Sequence, residues 1–101
     1  MLTTQHLQQL LTQHKAQLLQ KYPLTKMAIF GSYARGEQHM NSDIDLLVEF
    51  NQPIGIRFID LATDLEKILQ KKVDLVCNKD LRPQFLATIQ PDLQYVLVHK
   101  S

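Results

Sequence analysis

The stretch that most constrains this chain runs from Asp43 to Phe50. Alternate positions divide cleanly: Ile44, Leu46, Val48 and Phe50 form one set, and Asp43, Asp45, Leu47 and Glu49 the other. Successive side chains of a strand point to opposite faces. The segment therefore predicts a strand that turns its apolar set to a core and presents two carboxylates on a solvent-side face. Upstream, Lys26-Met27-Ala28-Ile29-Phe30 reads as a short buried strand, broken sharply at Gly31-Ser32. Ser32 is expected to cap a helical turn through Tyr33-Ala34-Arg35 that Gly36 ends, and the polar stretch Glu37 to Asn41 is expected to be a loop.

A chain of 101 residues predicts a single domain, residues 1–101. Its 45% hydrophobic and 21% charged content set aside disordered and collagenous classes. Eleven Lys and Arg against ten acidic residues leave no electrostatic footprint for duplex nucleic acid, so no direct nucleic-acid partner is expected. Cys77, the only cysteine, rules out an internal disulfide and a Cys-rich zinc site. It is expected to be a buried small residue at a strand end, in a reducing, cytoplasmic protein. No leader and no membrane-length apolar run is visible, which predicts a soluble, unprocessed chain.

Around the central stretch, Leu7, Leu10, Leu11, Leu18 and Leu19, with His14 filling the gap, predict one helix over 3–21, capped by Thr3 or Thr4 and stopped by Pro23. Phe58, Leu61, Ala62, Leu65, Ile68 and Leu69 predict a second helix carrying Lys71 and Lys72 in its last turn. Val73–Cys77 reads as a third strand whose apolar run is interrupted by Asp74. A short helix from Leu81 through Ile89, with Pro83 in its first turn, and a final short strand or extended tail over Leu93–Val98 complete the pattern. The predicted class is α/β (α+β), a small mixed sheet of three to four strands with flanking helices.

Two residues apart on a strand, Asp43 and Asp45 have Cα atoms roughly 6.6 Å apart. At a carboxylate separation near 5 Å their repulsion is about 3 kcal/mol at an effective dielectric of 20. A divalent cation reverses the sign of that term, and hard oxygen donors suit Mg²⁺ or Mn²⁺ better than zinc. Asp74, on a strand that would neighbour the first, could bring a third carboxylate to the same spot. The plainer alternative is three solvated strand residues. Gly31 would let the backbone come close to an anion, and Ser32 adds a hydroxyl donor; a Gly-Ser pair alone carries no weight.

Gly31-Ser32, ten intervening residues, then Asp43-Ile44-Asp45, with Asp74 on a later strand, resembles the signature of nucleotidyltransferases of the DNA polymerase beta superfamily. The fuller text Gly-Ser-Tyr-Ala-Arg-Gly followed by Ser-Asp-Ile-Asp-Leu-Leu-Val resembles the minimal nucleotidyltransferases, the MNT antitoxins that accompany HEPN-domain toxins. The likeness covers nearly the whole chain, and no departure from the motif is visible. It implies a palm-like fold in which Gly31 and Ser32 hold the β- and γ-phosphates of ATP. It further implies that Asp43 and Asp45 bind the metal, two Mg²⁺ ions or Mn²⁺, and that Asp74 completes that site and helps activate the acceptor hydroxyl. Arg35 is either a phosphate or partner contact or a brace for its loop, and Tyr33 is packing. The implied activity is transfer of AMP to a tyrosine of a HEPN-type RNase toxin in a hetero-oligomeric complex. Two alternatives stay open: a small-molecule transferase like the aminoglycoside nucleotidyltransferases, which generally carry a further helical domain, and an antitoxin acting by occlusion alone.

Overall fold

The computed structural model describes residues 3–99. The leading helix is two helices, α1 (Thr4–Gln13) and α2 (Lys15–Lys21), where the apolar stripe predicts one. The break is at His14, whose backbone leaves helical angles (φ −101°, ψ 8°) and whose ring Nδ1 donates to the Leu10 carbonyl at 2.9 Å. A side chain that bonds its own preceding turn competes with the helix ladder. Thr3 is the cap of α1, its hydroxyl accepting from the His6 amide at 3.1 Å.

β1 (Leu24–Phe30) leads into a single turn, α3 (Gly31–Ala34), and the chain returns through β2 (Ile44–Phe50). α4 (Arg57–Leu69) then crosses to β3 (Val73–Cys77), and α5 (Pro83–Ile89) precedes β4 (Gln94–Val98). The sheet order is β3-β2-β1-β4. β1 runs antiparallel to both β2 and β4, while β2 and β3 are parallel, the pair that needs a helix as its crossover. α4 stops earlier than its lysines suggest. Gln70 adopts the left-handed conformation (φ 56°) as its cap, so Lys71 and Lys72 fall beyond the helix and lead into β3. No helix among the described residues is long and apolar enough to cross a membrane.

Ile44, Leu46 and Val48 are buried with Met27 and Ile29 against Leu7, Leu11 and Leu18 of the first two helices and Leu61, Leu65 and Leu69 of α4. The opposite face is not simply open to solvent as the alternation suggests. Leu47 is buried there with Phe30 and Ile89, because α5 folds back over that face and Phe85 sets its ring edge-on to Phe30 at 6.4 Å. One end of the Asp-bearing face is thus roofed and the other left for the carboxylates. Cys77 is buried at the end of β3.

Asp64 ties the helical layer together. Its Oδ2 accepts from Tyr22 Oη at 2.6 Å and from Lys21 Nζ at 2.8 Å, and the Arg57 guanidinium lies 5.2 Å from the centroid of the Tyr22 ring. These two donors hold the Asp64 carboxyl below its ordinary value of 3.8. Burial, then the Asp64 hydrogen bond, pushes the Tyr22 phenol up to about 12. Replacing Asp64 by Ala leaves the Tyr22 hydroxyl, in a residue only 2% exposed, without its acceptor. The expected loss is about 1–3 kcal/mol in urea unfolding. A depressed carboxyl stabilises the fold above its unfolded value and ceases to as pH falls through the folded one. The difference between wild type and variant should therefore be full at neutral pH and shrink on acidification below about 4.

Candidate active site

The C-terminal end of β1 and the N-terminal ends of β2 and β3 lie side by side. Asp45 pairs across the sheet with Phe30 on one side and with Asp74 on the other. The parallel register thus places two carboxylates on adjacent strands and on one face. Gly31 follows Phe30 directly, with φ +73°, in the region that glycine enters at little cost. The Asp45 carboxylate occupies the space where a side chain on Gly31 would be: a Cβ there would run into Asp45 Oδ2 and stand 3.0 Å from its Cγ. The glycine of the turn and the carboxylate of the strand therefore form one site.

The turn begins two residues earlier than a Ser32 cap implies. Phe30 is the cap, and the first helical bond runs from the Arg35 amide to the Gly31 carbonyl at 3.1 Å, which puts Ser32 inside α3 and half-buried. So short a turn is held from outside. The Thr4 hydroxyl donates to the Tyr33 carbonyl, and Gln94 Nε2 donates to the Ala34 carbonyl at 2.9 Å. Tyr33 is buried in the main core. Nothing near Gly31 in sequence points to Thr4 or Gln94, since the contacts span 29 and 60 residues.

Asp43 stands exposed at the last position before β2. Its charge acts on Asp45 together with that of Asp74. Burial first, then Asp74 and Asp43, push the Asp45 carboxyl up to about 6, against an opposing pull from Arg35. Among the described residues no three His, Cys, Asp or Glu side chains already form a closed metal cage. The carboxylates are neighbours that repel one another, with hard oxygens and an excess of negative charge, and this donor set fits a divalent cation of the Mg²⁺ type.

Arg35 is engaged with the chain itself. Its Nε donates to Glu37 at 2.9 Å and its Nη1 to Asp92 at 3.2 Å, and these two carboxylates raise its guanidinium's proton affinity. This is the geometry of a brace, joining the end of α3 to the segment before β4. Ser42, buried just before Asp43, accepts from the His39 amide at 2.9 Å and so shapes the loop that delivers Asp43.

The family model of the nucleotidyltransferase domain matches residues 11–96. The chain belongs to this nucleotidyltransferase family. It is 44% identical over 100 residues to a Methanocaldococcus jannaschii protein provisionally named as a protein adenylyltransferase, over 95% of this chain and all of that one. It is 37% identical over 97 residues to the protein adenylyltransferase MntA of Thermococcus cleftensis, over 95% of this chain and 98% of that one. A solved toxin–antitoxin structure with AMP-PNP superposes with a TM-score of 0.68 at 27% identity, over 88% of this chain and 74% of the solved one. The mixed sheet with flanking helices is therefore the nucleotidyltransferase fold, as the sequence pattern implies.

Proposed function

We propose that this nucleotidyltransferase is an antitoxin that transfers AMP from ATP to a tyrosine of a HEPN-type RNase toxin, in the cytoplasm and within a complex of the two. The observation that supports it most is the seat of the Asp45 carboxylate against Gly31 with Asp74 beside it, which joins a phosphate-holding turn to an acidic pair in one place. Relatives named as protein adenylyltransferases and a solved toxin–antitoxin neighbour with AMP-PNP point to the same donor and the same kind of partner.

In this proposal Gly31 and Ser32 hold the β- and γ-phosphates of ATP, and Asp43, Asp45 and Asp74 hold Mg²⁺ or Mn²⁺, two ions at full occupancy. Bound there, the cation would neutralise the triphosphate and lower the pKa of the acceptor hydroxyl. Asp74 helps take the proton of the acceptor phenol, whose ordinary pKa is about 10. The phenol oxygen then forms its bond to the α-phosphorus as the bond to pyrophosphate breaks. Arg35 acts on the nucleotide indirectly, by fixing the loop that follows α3.

The test is incubation of the protein with α-labelled ATP, Mg²⁺ and the toxin encoded beside it. Label is expected on a tyrosine of the toxin, with loss of its RNase activity. An unlabelled toxin in the presence of active nucleotide binding would overturn the proposal.

A further inference from the structure

Two glutamines and a threonine, all distant from Gly31 in sequence, meet at the back of the short turn α3. Gln94 opens β4, where it pairs with Ile29, a residue of the main core. Paired residues of antiparallel strands share a face, so Gln94 lies on the helical side of the sheet, opposite to Asp45. There its Nε2 donates to the Ala34 carbonyl at 2.9 Å, and its Oε1 accepts from Gln8 Nε2 of α1 at 3.2 Å.

Only one orientation of the Gln94 amide serves both contacts. A backbone carbonyl can only accept, so the amide nitrogen must face Ala34, which leaves the amide oxygen to face Gln8. Gln8 thereby sets the orientation in which Gln94 can donate. Thr4, four residues before Gln8 and so on the same side of α1, donates to the neighbouring carbonyl, that of Tyr33.

Both tethers act on the half of α3 away from Gly31 and Ser32. The turn spans only Gly31–Ala34, and its Gly31, Ser32 and Tyr33 carbonyls accept from the Arg35, Glu37 and Gly36 amides at 3.1, 2.8 and 3.2 Å. A single turn fixes several backbone angles for very few bonds and is unfavourable by itself. Donors from α1 and β4 on its last two carbonyls therefore decide how fully it forms and how it is tilted. Gly31 and Ser32 follow, because four residues in one turn move together.

We propose that Gln94 is a positioning residue for nucleotide binding, oriented by Gln8, and that the pair sets the attitude of the Gly31-Ser32 turn toward the triphosphate. The assignment rests on the function proposed above, in which Gly31 and Ser32 hold the β- and γ-phosphates of ATP. Gln94 acts through the Ala34 carbonyl and takes no part in making or breaking bonds.

The test measures AMP-PNP affinity with Mg²⁺ for the full chain as wild type, Gln94→Met, Gln8→Ala and the double variant, beside transfer of α-labelled AMP to the toxin and thermal unfolding. Gln94→Met keeps the length of the side chain and loses the donor. It is expected to weaken AMP-PNP binding by about 3- to 10-fold. KM for ATP should rise in parallel while kcat at saturating ATP stays within about twofold. Gln8→Ala should weaken binding by less, and the double variant should be no weaker than Gln94→Met, because the two residues act along one line. A lower melting temperature with unchanged AMP-PNP affinity would mean a merely structural role and overturn the assignment while leaving adenylylation intact. Additive losses in the double variant would overturn the part given to Gln8. Should Gln94→Met fail to fold, Gln8→Ala decides alone, and unchanged affinity there overturns the assignment. A wild type that binds AMP-PNP and labels no toxin would instead overturn adenylylation and leave the positioning role standing.

Discussion

Asp45→Asn is expected to abolish AMP transfer and, at the same time, to raise the melting temperature of the metal-free protein. The loss of transfer should be on the order of 10³-fold or more, because in the proposed reaction the variant removes the carboxylate at the centre of the acidic cluster and with it a charge that would hold the divalent cation. The gain in stability follows from what surrounds the same side chain. Burial and the charges of Asp74 and Asp43 push its carboxyl up to about 6 from an ordinary 3.8. A group whose folded value is raised favours folding while protonated and loses that benefit as pH rises through the folded value. At neutral pH the ionised Asp45 therefore costs the metal-free fold about 1–3 kcal/mol. The amide is the same size and carries no charge. Thermal unfolding should show the variant more stable at neutral pH and the difference nearly gone at about pH 4. Added Mg²⁺ should raise the midpoint of the wild type and leave the variant's unmoved. A variant no more stable than wild type at neutral pH would mean that the cluster carries no repulsion.

Gly31→Ala is expected to damage both properties together. Its φ of +73° is strained for any residue with a Cβ, at roughly 1–2 kcal/mol. The added methyl also meets the Asp45 carboxylate head-on, with Asp45 Cγ at 3.0 Å and Cβ at 3.3 Å. Asp45 has too short a side chain to yield without turning its carboxylate out of the cluster, since its own backbone is held by Phe30 and Asp74 on either side. Transfer should fall by at least about 10²-fold, the scale expected for misplacement by an ångström. Stability should drop by about 1–3 kcal/mol in urea unfolding. Ser32→Ala is the informative contrast. It removes a hydroxyl from inside α3 without altering the backbone, so nucleotide affinity should weaken while the unfolding midpoint moves little. Equal stability of Gly31→Ala and wild type would show that the turn can relax around a side chain.

The opposite signs of these two effects separate charge from shape. In the proposed reaction Asp45 is required although it is a liability to the metal-free fold, a common arrangement where activity and stability compete. Gly31 serves both, because the turn and the strand occupy the same space.

Much of this was legible in the chain itself. The alternation from Asp43 to Phe50 assigned the strand and its two faces, and the helical spacing of Phe58 to Leu69 placed the crossover that makes β2 and β3 parallel neighbours. These are local patterns, and local patterns survive in sequence. The break at His14 and the early stop of α4 at Gln70 were not visible, because neither is marked by proline or glycine. One depends on a ring nitrogen finding a carbonyl, and the other on a glutamine accepting a left-handed conformation.

The Gly-Ser turn and the three aspartates could be named as candidates from spacing alone, since their residue types and order are a property of the chain. Which of them meet is a property of the sheet. The register between β2 and β3 puts Asp45 beside Asp74, and a slip by one position would have turned Asp74 into the core. That Arg35 meets Asp92, 57 residues away, came only with the tertiary structure. Sequence determines which groups the protein can offer, because that depends only on covalent order. Tertiary structure decided which charges face one another, because that depends on how separate strands are brought into line.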